Sequence, residues 1–256
     1  MDDGARLRIT YVGHATVLIE LAGIRLLTDP VLRPRVLHIE RAVPPPSVEV
    51  TRDIDAVLIS HLHPDHLDFS SLRTIGRNVP VIAAAGSGRL LRRRGVQHVT
   101  ELSPGETTRV GETHVLAARV EHDGRRYPVG RRIDALGFDV RVAGRRVFFA
   151  GDTDLFEEMR ELAGGLDVAL LPISGWGTRL GGPGHLDPRQ AAEAAAMLRP
   201  RMAVPIHWGT LLRRGLDRTR PELLSDPARE FVSRIGELAP GVEPRVLAPG
   251  ESLELT

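Results

Sequence analysis

Four potential metal donors, His61, His63, Asp65 and His66, fall within six positions of one another, directly after the apolar run 54–59. Neutral imidazoles and ionised carboxylates are the ligands that borderline and hard divalent cations take. Side chains alternate along an extended segment, so His61 and His63 point one way. The turn imposed near Pro64 then brings Asp65 and His66 round to a second point. One cluster could therefore serve two ions. The alternative, four ordinary hydrogen-bonded loop residues, fits this density poorly.

Two ions need about seven protein donors, so the cluster must be completed from elsewhere in the chain. Donors are best delivered where strands end. Asp152 follows the strand-like run 146–150 at Gly151, which permits a sharp turn, and His207 follows the run 202–206. A carboxylate has two oxygens and can be shared between two cations, which makes Asp152 the natural bridge. The competing readings are a helix N-cap before Leu155 for Asp152 and a core histidine for His207. The last slot lies among His98, His114 and His122. His98 and His114 fall inside apparent strands, whereas His122 follows the strand 115–120 at the start of a polar loop, 121–134, and is the expected ligand.

The elements that would position these donors follow from periodicity and turn residues. Two apolar runs, 7–21 and 24–27, flank Ala22-Gly23 as a hairpin or meander closed by Thr28-Asp29-Pro30. Gly13 interrupts the first run as a bulge would, turning His14 toward a site or leaving it on the surface. Residues 32–46, with Pro34 and Pro44-Pro45-Pro46, read as a surface loop. After the cluster come a short helix (67–76), a strand (79–85), a helix (87–95) and an extended stretch (96–102). Extended character returns over 107–120, and a second hairpin (136–149) turns at Ala143-Gly144. A helix over 155–163, a strand over 166–173, a helix over 188–198 capped by Asp187 with Pro188 at its first position, and a strand over 202–206 complete the second half. The last long helix spans 227–238. Each half repeats strands followed by helices, so two sheets face to face with helices outside predict a single α/β domain over 1–256 built as a four-layer αββα sandwich.

Composition narrows the function classes. The 256 residues are 42% hydrophobic and 26% charged, as in ordinary globular proteins. Arginine and lysine number 34 against 33 acidic residues, so a formal net charge of +1 supplies no field for nucleic acid, and Arg92-Arg93-Arg94 reads as a solvated helix face. With no cysteine there are neither disulfides nor thiolate ligands. The acidic start and the lack of an 18-residue apolar run point away from a signal peptide or membrane span, which makes a cytoplasmic location the expectation.

The order His61-x-His63-x-Asp65-His66, His122, Asp152, His207 resembles that of the metallo-β-lactamase superfamily of binuclear metallohydrolases. Gly13-His14-Ala15-Thr16, Leu27-Thr28-Asp29-Pro30, Phe148-Phe149-Ala150-Gly151-Asp152-Thr153 and Pro205-Ile206-His207-Trp208-Gly209-Thr210 are similar to the branch containing N-acylphosphatidylethanolamine-hydrolysing phospholipase D and ascorbate-6-phosphate lactonases. The resemblance implies the αββα sandwich with metals at the edge between the sheets. It implies one ion held by His61, His63 and His122, a second by Asp65, His66 and His207, and Asp152 bridging them. His14 and Asp29 are expected to orient ligands from behind, although Asp29 could equally cap its own turn.

Two cations in such a site supply a bridging hydroxide without any side-chain nucleophile and polarise the substrate. Zinc is the first expectation, with iron or manganese as alternatives. The predicted activity is hydrolysis of a phosphodiester or lactone, on a small-molecule or phospholipid-like substrate. Only 4% of residues are aromatic, fewer than an acyl groove of the phospholipase type implies. Asp65 and His185 are the residues expected to take part in the chemistry. His185 precedes a helix N-terminus in Gly181-Gly182-Pro183-Gly184-His185-Leu186-Asp187-Pro188, where it can meet an anionic substrate group and donate a proton; it is expected to touch substrate and not metal. Trp176 and Arg179, in the same loop, are further substrate-binding candidates. The rival readings are β-lactam hydrolysis, nucleic-acid cleavage and a non-catalytic metal-stabilised binding protein.

Overall fold

The protein is described by a computed structural model covering residues 6–126, 132–174 and 183–256. The chain begins with a three-stranded meander, β1 (Leu7–Gly13), β2 (Thr16–Leu21) and β3 (Ile24–Thr28). Its second turn, Ala22-Gly23, takes two left-handed residues (φ 51 and 79), the twist that a two-residue hairpin needs. Two short strands follow, β4 (Arg35–Val36) and β5 (Ile39–Arg41). Next come β6 (Ala56–Ile59), α1 (Phe69–Ile75), β7 (Val81–Ala84), α2 (Gly88–Arg93) and β8 (Val99–Leu102). The second half runs β9 (Thr107–Val110), β10 (Thr113–Asp123), β11 (Asp134–Val142), β12 (Arg145–Phe149), β13 (Val168–Pro172), α3 (Pro188–Leu198) and β14 (Met202–Ile206). It ends with β15 (Leu211–Arg213), α4 (Leu216–Thr219), α5 (Asp226–Leu238), β16 (Glu243–Pro244) and β17 (Ser252–Leu255).

Two seven-stranded mixed sheets result, in the orders β17-β1-β2-β3-β6-β7-β8 and β16-β14-β13-β12-β11-β10-β9. The inner strands β6, β7, β13 and β14 pair in parallel and are buried along their whole length, so they read as unbroken apolar runs. Alternation divides each strand between two cores. On β2, Val17 and Ile19 face the second sheet while Leu18 faces the helices, and on β12 Val147 and Phe149 face the first sheet while Phe148 faces outward. Phe69, Leu72 and Leu91 carry α1 and α2 onto the first sheet, and the alanine face of α3 with Phe231 and Ile235 of α5 covers the second. This is the expected αββα sandwich. Among the described residues no helix is long and apolar enough to cross a membrane.

Several local expectations change. The stretch 32–46 is not wholly irregular: β4 and β5 form a small sheet with β15, which closes over Val31, Val36, Ile39 and Leu211. The helix expected over 155–163 is a 3₁₀ segment, Glu157–Leu162. His98 precedes β8 instead of lying in it. The edge strands β16 and β17 had no signal strong enough to predict. β10 runs on to Asp123, so His122 sits in a strand and not in a polar loop. A register shift between Arg119 and Asp123 breaks the ladder to β11 there and re-aims the side chain, as bulges do.

Candidate metal centre

Apart from His185, in the loop before α3, the site residues come from strand ends and the turns that follow them. β6 delivers residues 60–68, β12 delivers Gly151-Asp152, and β14 delivers His207. Within its register shift, before it pairs with β11 again at Asp123, β10 bonds to the loop after Asp152, through Glu121 N–H to Thr153 Oγ1 (3.1 Å) and Asp154 N–H to Glu121 O (2.9 Å). His122 and Asp152 are thereby held side by side. His14 (φ 58), Asp29 (φ 35) and His207 (φ 60) are all left-handed, conformations that cost a non-glycine residue on the order of 1 kcal/mol or more. Hydrogen bonds hold them there: Asp29 N–H to Leu58 O (2.9 Å), His207 N–H to His14 O (2.8 Å) and His14 N–H to Thr210 Oγ1 (3.0 Å).

The side chains gather into two sets. In the first, His63 Nδ1 lies 2.9 Å from His61 Nε2 and 3.2 Å from His122 Nε2. In the second, His66 Nε2 lies 3.2 Å from Asp65 Oδ2, and His207 Nε2 lies 3.7 Å from the same oxygen. Asp152 stands between them. Its Oδ2 is 3.1 Å from His66 Nε2 and 3.9 Å from His61 Nε2, and its Oδ1 is 3.4 Å from His207 Nε2. Metal–nitrogen bonds of roughly 2.0–2.1 Å in a tetrahedral shell put neighbouring donors about 3.3 Å apart, which is the spacing seen here. The two oxygens of Asp152 and His66 Nε2 are buried and make no hydrogen bond. Such atoms cost several kcal/mol unless something else satisfies them, so the donor set fits cations of this size.

Behind the donors a further layer fixes which ring nitrogen is bare. His66 Nδ1–H donates to Asp29 Oδ2 (2.7 Å), His122 Nδ1–H to Gly184 O (2.8 Å) and His207 Nδ1–H to Ser174 O (2.5 Å). His14 Nε2–H donates to Asp65 Oδ2 (2.9 Å), so His14 and Asp29 each hydrogen-bond a side chain of the cluster. Gly184 (φ 79) is needed at its place, because a β-carbon there would lie 2.7 Å from His122 Nδ1. Ser60, Gly184 and Ser174 were not singled out from sequence. For Ser60 the available signal was a hydroxyl directly before His61 at the end of an apolar strand.

Burial, with neighbouring charges, sets the protonation. It holds the His61 imidazole well below its usual pKa, His63 at about 4 and His14 at about 3, and it lowers His122, so their lone pairs are available at neutral pH. Burial alone would raise Asp65 and Asp152, but His66 beside Asp65, and His207 and His66 beside Asp152, outweigh it and keep both carboxylates well below their normal range.

His185 Nε2 is buried 3.3 Å from Asp152 Oδ2 and close enough to His122 and Asp152 to form a donor group with them. His114 is exposed on β10 against Arg109, and His98 is also exposed. Trp176 and Arg179 lie outside the described residues.

Comparison with known proteins shows the family. A family model described as the β-lactamase superfamily domain covers residues 24–208. A metal-dependent hydrolase of Pyrococcus abyssi is 33% identical, over 97% of this chain and all of that one. An N-acyl-phosphatidylethanolamine-hydrolyzing phospholipase D of Caenorhabditis elegans is 32% identical over 78% of this chain and 63% of its own. In fold the chain is similar to Igni18, described as a metallo hydrolase from Ignicoccus hospitalis, with a TM-score of 0.75, 24% identity and coverage of 98% of this chain and 99% of that one. A family model over most of the chain and a relative matched from end to end place this protein in the metallo-β-lactamase superfamily, as a metal-dependent hydrolase.

Proposed function

We propose that the site holds two divalent cations and hydrolyses a phosphodiester or a lactone. One observation carries this reading: Asp152 turns one oxygen to His207 and the other to His61 and His66, so a single carboxylate faces both donor sets. His61, His63 and His122 would hold one ion, Asp65, His66 and His207 the other, and Asp152 both. Zinc suits this imidazole-rich set first, with iron and manganese as alternatives. Bound there, a pair of cations would acidify water into a nucleophile near neutral pH and polarise the ester oxygen.

The chain's own residues supply the rest. Asp29 and His14 hold His66 and Asp65 in place, so little reorganisation is needed as charge develops. His185 stands two residues before Asp187, whose side chain caps α3 by accepting from Gln190 N–H (2.8 Å). An anionic group of the substrate would approach this helix start, and His185 would donate a proton to the departing oxygen. Burial disfavours the charged imidazole, yet the Asp152 carboxylate outweighs it and raises the His185 pKa, which keeps the proton available.

The test is elemental analysis of protein purified without chelator, followed by a screen of the loaded protein against phosphodiesters, lactones and N-acyl phospholipids. About two equivalents of metal and turnover of one of these classes are expected. One equivalent with full activity would overturn the two-ion reading.

A further inference from the structure

The carboxylate of Asp29 reaches both donor sets. Its Oδ2 accepts from His66 Nδ1–H at 2.7 Å, in the set that contains Asp65 and His207. The same oxygen accepts from the Ser60 hydroxyl at 2.5 Å, and Oδ1 accepts from Ser60 N–H at 2.7 Å. Ser60 Oγ, its hydrogen committed to Asp29, has a lone pair left and lies 2.9 Å from His61 Nδ1. With Asp29 ionised, one assignment of protons satisfies the chain. Nδ1 of His61 must carry its hydrogen and donate it to Ser60, which leaves Nε2 bare and facing His63. Ser60, His61, His66 and Asp29 are all buried, so water does not compete for these bonds.

We infer that Ser60 is a positioning residue that sets the tautomer of His61, and that through it Asp29 couples the two metal pockets. The inference rests on the two-ion reading for its second half only. The polarity of the chain makes the two positions unequal. Losing the Ser60 hydroxyl frees the His61 ring alone, whereas losing the Asp29 charge loosens His61 and His66 together. A partner of this kind is worth about 10–100-fold in metal affinity.

Nitrogen-15 histidine spectra of the metal-free protein test the relay without any metal. Nδ1 protonation of His61 in the natural sequence, giving way to a mixture of tautomers in Ser60→Ala, is expected. Nε2 protonation of His61 in the natural protein overturns the relay, and that spectrum decides even if the variant does not fold. Metal titration then tests the coupling: Ser60→Ala should weaken one of two equivalents by about 10–100-fold and Asp29→Asn both. Two unchanged affinities in Ser60→Ala overturn the inference. Binding of a single equivalent by the natural protein would instead overturn the two-ion reading, and the tautomer result would still stand by itself.

Discussion

Gly151 and Ser60 are pressed together where the two sheets meet: a β-carbon on Gly151 would lie 2.6 Å from Ser60 Cβ and 2.9 Å from its Oγ. Gly151 is also left-handed, at φ 62. Gly151→Ala should therefore cost about 1–2 kcal/mol for the backbone alone, and more because it pushes Ser60 away from His61. Both a lower melting temperature and weaker metal binding are expected. A variant that melts and binds as the parent does would show that the approach is not tight.

Asp152→Asn keeps the shape of the shared carboxylate and removes its charge. It stands among His66, His207 and His61, so one cation should be lost, with turnover falling by several orders of magnitude. Metal analysis and kinetics on the same sample check this. Retained metal and rate would reduce Asp152 to a structural role.

Much of this site was legible because its donors sit next to each other or at ends of apolar strands. His61 to His66 are adjacent in the chain, and Asp152 and His207 follow buried runs whose length marks where the turn must come. The layers were legible for the same reason, since Leu18 and Phe148 point opposite to their neighbours. What hid was fixed by pairing across long separations. β10 carries His122 past Val120 because its backbone is taken up by Thr153 and Asp154, a contact no local pattern announces. Ser60, directly after the apolar run 54–59, gains its role only because Asp29, 31 positions earlier, lies against it. β5 is stabilised by β15, which lies far along the chain, so a proline-rich stretch read as loop.

Stability of the metal-free protein should fall as pH drops below 6.5. The half-buried His63 and the buried His14 have pKa values of about 4 and about 3 in the fold against an ordinary 6.5, so between those limits the unfolded chain takes up protons that the native one refuses. His66 and His185 have raised values and oppose this slope around pH 6.5 and above, where the unfolded imidazoles are not yet protonated, and Asp29, raised by burial, opposes it at the acid end; well below 6.5 the two histidines are charged in both states and drop out. Melting temperatures measured in chelator should decline from pH 6 to pH 4. A flat profile would mean that these histidines are not held neutral by the fold.

Arg126 Nη1 donates to the carbonyls of both Leu62 (3.0 Å) and Leu67 (2.7 Å), pinning the histidine-rich loop at two points, while its guanidinium lies over the Phe69 ring at 5.3 Å. Arg126→Ala removes that donor from two carbonyls and should cost about 1–3 kcal/mol in urea unfolding, with weaker metal retention. A change under about 0.5 kcal/mol, the scale of ordinary surface substitutions, would show the clamp to be incidental.

His185 is the residue whose role the geometry leaves most sharply divided between two chemistries. Its Nε2 is buried, makes no hydrogen bond and lies 3.3 Å from Asp152 Oδ2, which is the spacing of a ligand. Against that, His61, His63 and His122 already converge on the nearer pocket, and the His185 Nδ1 contact to Pro183 O is long at 3.4 Å, a looser mooring than the 2.5–2.8 Å bonds that hold His66, His122 and His207. A histidine that must meet substrate and release a proton is better served by that freedom than a ligand is. His185→Ala should therefore keep both metal equivalents and the melting temperature while turnover falls about 10²-fold or more, the scale of general acid–base assistance. The loss should concentrate at the acidic limb of the rate profile, and it should shrink for substrates whose leaving group needs no proton. A variant that loses one equivalent of metal would make His185 a ligand, and unchanged kinetics would remove it from the chemistry altogether.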